Sequence, residues 1–196
     1  MSDSKEIRAF LAIDPPVSVH DEMARIQDRL KKSVQGMVRW AGPANIHLTL
    51  KFFGDVGQDD VALLSEVIEK EVTAIEPLYL EIKTLGVFPD IRRPRVIWLG
   101  TVGDVARLAI LQEKLDRGFE DLGFEKENRP FRAHWTLARI KSSEGLTGMA
   151  QAIEAGAGLL AGDFITRSLI LFRSELRPQG AVYSKLAEYA FKGVGY

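Results

Sequence analysis

Cysteine is absent from all 196 residues. That excludes disulfides, a thiolate nucleophile and thiolate metal sites. No apolar run nears the ~20 residues that a bilayer-spanning helix needs. Neither sign of charge is in excess: 26 Lys and Arg stand against 27 Asp and Glu, for a net charge of −1. A long electrostatic track for nucleic acid is therefore not expected. Histidine is scarce, with three in the chain. The stretch Met1–Glu6 is polar, mixed in charge and without a cleavage-site pattern, so it reads as no signal peptide and a cytoplasmic setting is the expectation. The remaining composition, 46% apolar and 27% charged, suits a single folded domain over 1–196.

Apolar spacing divides the chain into elements. Glu6 to Ile13 reads as a strand, stopped by Asp14-Pro15-Pro16. Val19, Met23, Ile26, Leu30 and Val34 then form one helical stripe. Met37 to Trp40 is a short strand broken by Gly42-Pro43, and Ile46 to Gly54 is strongly β in composition. A helix is expected over 59–73, strands over 78–85 and 96–99, and a third helix from Val105 to Leu122, ending near Gly123. Arg132 to Ile140 reads as a strand and 144–161 as weakly helical. Phe164 to Phe172 and Val182 to Phe191 read as a closing pair joined through Arg177-Pro178-Gln179-Gly180. The order suggests an α+β, bilobal, duplicated fold: two small, mainly antiparallel sheets form a central cleft with helices outside. With no heptad run, a monomer is expected.

Two of the three histidines sit in nearly rhyming strings, His47-Leu48-Thr49-Leu50 and His134-Trp135-Thr136-Leu137, 87 residues apart. Residues i and i+2 of a strand share a face, so each string presents an imidazole beside a hydroxyl. If the strands face each other, two imidazoles and two hydroxyls meet around one cleft. Imidazoles titrate near neutrality and can divide the roles of acid and base. The hydroxyls can donate to phosphate oxygens as charge builds on them. The near symmetry of the strings leaves open which histidine is the acid. His20 has no Thr at i+2 and reads as a surface residue. Two histidines fall short of the three protein ligands of a catalytic zinc site, so no metal or other cofactor is expected. Arg92, Arg93 and Arg95 read as a solvated loop, Arg129, Arg132 and Arg139 flank the second string, and Phe10 and Phe53 read as core.

These strings resemble the paired His-x-Thr-x motifs of the 2H phosphoesterase superfamily, and more closely its prokaryotic RNA 2′,3′-cyclic phosphodiesterases, also called 2′-5′ RNA ligases. The likeness extends through Arg8-Ala9-Phe10-Leu11-Ala12-Ile13, His47 to Gly54, Arg95-Val96-Ile97-Trp98-Leu99-Gly100 and Asn128-Arg129-Pro130-Phe131, and on to Gly180 and Tyr183. It implies metal-independent opening of a terminal 2′,3′-cyclic phosphate to a 2′-phosphate, with His47 as proton donor to the 3′ oxygen and His134 as the base. Thr49 and Thr136 would hold the phosphate. Arg139 matches a phosphate-contacting position, although its odd offset from His134 puts it on the opposite face under strict alternation. A bulge or the strand end would be needed to turn it back. The implied partners are RNA 3′ ends or small nucleotides bearing a cyclic phosphate. The alternatives are a non-catalytic module binding RNA ends or nucleotides, and the same chemistry run backwards as 2′-5′ ligation.

Overall fold

The computed structural model describes residues 6–178 and 180–193. Most of Met1–Glu6 and Gln179 of the closing turn lie outside these. In chain order the elements are β1 (Ile7–Ile13), α1 (Val17–Ser33), β2 (Val38–Trp40), a 3-10 turn (Pro43–Asn45), β3 (Leu48–Val56) and α2 (Gln58–Val72). Then come β4 (Leu78–Phe88), β5 (Val96–Gly103), α3 (Val105–Asp121), β6 (His134–Ile140), α4 (Met149–Ala155), β7 (Leu160–Thr166), β8 (Ser168–Arg177) and β9 (Gly180–Ala190). No helix among the described residues is long and apolar enough to cross a membrane.

Two sheets form, of order β3-β1-β8-β9 and β2-β6-β5-β4-β7, and every strand pair in them is antiparallel. The α+β, two-sheet expectation holds. The closing segment differs from its reading as one strand over 164–172. The chain breaks at Arg167, leaving β7 on the edge of one sheet and carrying β8 into the other. An unbroken β-rich run hides such a crossing, because composition does not say which neighbour a strand pairs with. The stretch 144–161 is helical only over Met149–Ala155.

Helix stripes and strand faces meet in one core. Val19, Met23, Ile26 and Leu30 of α1 are buried, as are Leu64 and Ile68 of α2 and Leu108, Leu111, Leu115 and Phe119 of α3. α3 stops at a Schellman turn. Gly123, at φ +92°, donates its N–H to the Glu120 carbonyl, and Phe124 N–H reaches back to the Phe119 carbonyl at 3.0 Å. A left-handed residue is needed there, and glycine adopts that conformation without a Cβ clash. The turn releases the chain into an irregular segment, 124–132, that runs along the cleft. Lys51 of β3 ties this segment down from below. Its buried ammonium pairs with the buried Asp116 carboxylate of α3 and donates to the Glu125 carbonyl, and Asp116 also accepts the Glu127 N–H.

Candidate active site

Both strings run along one cleft of about 1520 Å³, floored by β3 on one side and by β2 and β6 on the other. Their apolar members anchor them: Leu48, Trp135 and Leu137 have no exposure and Leu50 has little. Burying each such side chain contributes about 1.5–3 kcal/mol, which holds His47, Thr49, His134 and Thr136 on the cleft wall. Trp135 also satisfies its indole N–H at Thr101 Oγ1, 2.9 Å away. His47 falls one residue before β3, two past the end of the 3-10 turn, while His134 opens β6.

Arg139 lines the same cleft, and the register explains how. β5 pairs Ile97 with Ala138 but Trp98 with Thr136, which leaves Leu137 as a bulged extra residue. Leu137 and Ala138 are both buried in succession. Alternation resumes one place out of phase, and Arg139 returns to the face of His134 and Thr136. The first string has the same device. β1 pairs Ala12 with Thr49 and Leu11 with Lys51, so Leu50 is the extra residue. Three places past Thr49, where the second string has Arg139, stands Phe52. It lines the cleft and is 63% exposed. Strand alternation alone does not single out Phe52; aligning the two strings beyond their threonines does.

The two imidazoles sit in different surroundings. His134 Nδ1 lies 2.7 Å from the Arg132 carbonyl. A carbonyl only accepts, so Nδ1–H donates and the neutral ring keeps its lone pair on Nε2. Phe88 meets this ring edge-on at 5.1 Å. Burial pushes the His134 pKa down, the Arg132 carbonyl opposes this, and the Arg139 charge adds to the lowering. His47 is boxed by aromatics: Phe10 stacks on it at 4.6 Å, Tyr183 meets its edge at 5.1 Å, and Phe172 lies beyond at 6.0 Å. Burial there lowers its pKa from 6.5 to about 4, opposed by the Asp14 carboxylate and aided by His20. Among the described residues neither ring nitrogen of His47 has a hydrogen-bond partner.

Contacts bear on two further readings, those of His20 and of the two phenylalanines. His20 is not a free surface residue: Nε2 lies 3.0 Å from Asp14 Oδ1 and Nδ1 lies 3.1 Å from the Pro43 carbonyl. Its pKa is raised, chiefly by the Asp14 hydrogen bond. A recess of about 490 Å³ behind His47 is lined by Asp14, Asn45 and Tyr183 among others. Phe10 is buried, as expected, yet serves as the stacking floor of His47, and Phe53 packs on Phe119 and Phe124. Among the described residues no group of three or more His, Asp or Glu gathers as a metal-ligand set.

The family model described as LigT like Phosphoesterase matches this chain twice, over 13–98 and 100–183. His47 and His134 each fall 34 residues after the first residue of their match, so the duplication expected from the strings extends over both halves. The chain belongs to the LigT-like phosphoesterase family. A relative from Methanothermobacter thermautotrophicus, named RNA 2′,3′-cyclic phosphodiesterase, is 36% identical over 92% of this chain and 97% of its own. The crystal structure of a Thermus thermophilus protein superposes with a TM-score of 0.78 at 25% identity, covering 95% of this chain and 99% of that one. The fold is likewise that of E. coli LigT crystallised with 3′-AMP, at a TM-score of 0.77, 24% identity and coverage of 95% and 99%.

Proposed function

We propose that this protein hydrolyses 2′,3′-cyclic phosphates at RNA or nucleotide ends to 2′-phosphomonoesters, with His134 as general base and His47 as general acid. The observation that carries the reading is the pairing in one cleft of an imidazole with a directed Nε2 lone pair and a second imidazole boxed by aromatics. His134 Nε2 takes a proton from water as the water oxygen bonds to phosphorus. The bond from phosphorus to O3′ breaks, and His47 gives its proton to O3′. Thr49 and Thr136 donate to the nonbridging oxygens, and the Arg139 guanidinium meets the charge that builds there. Afterwards His134 carries the proton and His47 is neutral, and exchange with solvent resets both.

His47 must hold a proton to act as the acid, yet its pKa of about 4 in the free site disfavours the cation by about 3 kcal/mol relative to an ordinary histidine. A phosphate anion about 4 Å away is worth about 4 kcal/mol at an effective dielectric constant near 20. Substrate charge is thus of the size needed to restore the proton. The same groups would serve the reverse joining of a cyclic end to a 5′-hydroxyl, with water the more abundant acceptor. The full-length likeness to proteins named as phosphodiesterases favours turnover over mere binding.

Phosphorus NMR of a nucleoside 2′,3′-cyclic phosphate incubated with the protein tests this reading. Loss of the cyclic signal with growth of the 2′-monoester alone is expected. A substrate left intact would instead indicate a binding module, and a 3′-monoester would reverse the leaving group.

A further inference from the structure

The cleft holds more positive charge than one cyclic phosphate requires. Arg39 of β2 and Arg139 of β6 are direct cross-strand partners, and both side chains line the cleft together with Lys141, two residues further along. Like charges directly opposite one another in an antiparallel pair repel. None of the three side chains makes an ion pair or hydrogen bond with another described residue. By contrast, Arg177 and Lys126, which also line the cleft, have carboxylate partners at 2.9 and 3.4 Å. In a chain of net charge −1, three adjacent cations without a carboxylate form a local concentration that an anion would relieve.

Their placement relative to the histidines is also defined. Arg139 is close enough to depress the His134 pKa. Arg39 and Arg139 both act on the phenol of Tyr183, the ring that meets the edge of His47. The cluster therefore starts beside the candidate catalytic pair at Arg139 and runs outward to Arg39, one strand spacing of about 5 Å across, and to Lys141, two residues or about 7 Å along the chain. The cleft volume of about 1520 Å³ also exceeds the ~300–1,000 Å³ typical of a small-ligand pocket.

Resting on the reading under Proposed function, we propose that Arg39 and Lys141, flanking Arg139, bind a second phosphate of the substrate: the one attached through the 5′ carbon of the ribose that bears the cyclic phosphate. Either a 5′-phosphomonoester or the internucleotide phosphodiester of an RNA end supplies this chemistry. A bare nucleoside 2′,3′-cyclic phosphate leaves the site empty, so the cleft selects cyclic phosphates that carry the second phosphate over those that lack it.

Three substrates with the same terminal base test this: the nucleoside 2′,3′-cyclic phosphate, its 5′-phosphorylated form, and a dinucleotide ending in the same cyclic phosphate. The expected wild-type kcat/KM is at least ~10-fold higher for a substrate with the second phosphate, the scale of one charged hydrogen bond. The preference should shrink as salt is raised. Arg39→Gln and Lys141→Gln should each bring the ratio toward one. A preference confined to the 5′-monoester assigns the site to mononucleotides, and one confined to the dinucleotide assigns it to RNA ends. Equal turnover of all three by the wild type, or a preference untouched by both variants, overturns the second-phosphate site while leaving the hydrolase reading intact. No turnover of any substrate overturns that reading and this site with it.

Discussion

The side-chain amide of Gln27, on α1, donates to the backbone carbonyl of Leu137 at 2.8 Å, the residue that bulges from β6 between Thr136 and Arg139. The same carbonyl accepts the Ala41 N–H, also at 2.8 Å. The other half of the chain repeats the relationship: Gln112 of α3 points its amide at the carbonyl of Leu50, the bulged residue of β3, at 3.5 Å. Both glutamines are buried. Each histidine–threonine string is thus followed by a bulge that a buried helix glutamine holds, and the bulge decides which later side chain returns to the cleft.

Gln27→Leu tests that device. Gln27 Nε2 also donates to the Ala41 carbonyl at 2.9 Å, so the variant removes two hydrogen bonds while relieving the buried Oε1, which has no partner among the described residues, at a cost of about 1–2 kcal/mol. It should remain folded by thermal melting while KM for a cyclic phosphate rises ~10-fold, because Arg139 depends on the bulge for its direction. An unchanged KM in a destabilised protein would reduce Gln27 to a core residue.

Phe52 and Arg139 occupy equivalent places after the two bulges, and both face the cleft. An aromatic ring left 63% exposed there would offer a nucleobase a stacking surface, where stacking is worth about 1–3 kcal/mol. Phe52→Ala should raise KM for a nucleoside 2′,3′-cyclic phosphate ~5- to 100-fold and leave the melting temperature nearly unchanged. A smaller effect on ribose 2,3-cyclic phosphate, which has no base, separates stacking from general damage.

The histidine environments set the pH response. The proposed mechanism needs His134 neutral and His47 protonated, and in the free protein both pKa values are lowered, that of His47 to about 4. The profile of kcat/KM, which reports the free protein, should be a bell with its maximum below pH 6.5. The profile of kcat reports the complex and should shift to higher pH, since bound phosphate favours both cations. Stability follows from the same numbers. Above pH 6.5 His47 is neutral whether folded or unfolded; as pH falls toward 4 only the unfolded chain gains that proton, so folding loses up to about 3 kcal/mol from this residue. Denaturant titrations of the wild type and His47→Asn across that window should diverge accordingly.

The buried pair of Lys51 and Asp116 anchors segment 124–132 as well as β3. Asp116→Ala leaves an uncompensated ammonium and should cost about 3–5 kcal/mol, measured by denaturant unfolding. A loss below 1 kcal/mol would mean that Lys51 finds water instead.

Much of this is legible in the sequence alone. The stripes of α1 and α3, the Gly123 stop and the strings at 47–50 and 134–137 follow from spacing and composition, because each is local. Non-local features are not. Strand partners decide that β7 and β8 lie in different sheets. The bulge at Leu137 is a property of two strands and a helix together, so strict counting puts Arg139 on the wrong face. His20 reads as surface because its partners, Asp14 and the Pro43 carbonyl, come from either side of its helix. Arg39 gives no signal until β2 is known to lie beside β6.

The central claim is that two imidazoles share one proton-transfer reaction across the cleft, and single-turnover hydrolysis of a 2′,3′-cyclic phosphate by His47→Ala, His134→Ala and the double variant measures it most directly. Each single variant should be slowed at least ~100-fold, and the double variant little further than the slower single one, because residues that act as a unit are not additive. Near-normal cleavage by either folded single variant would contradict the account.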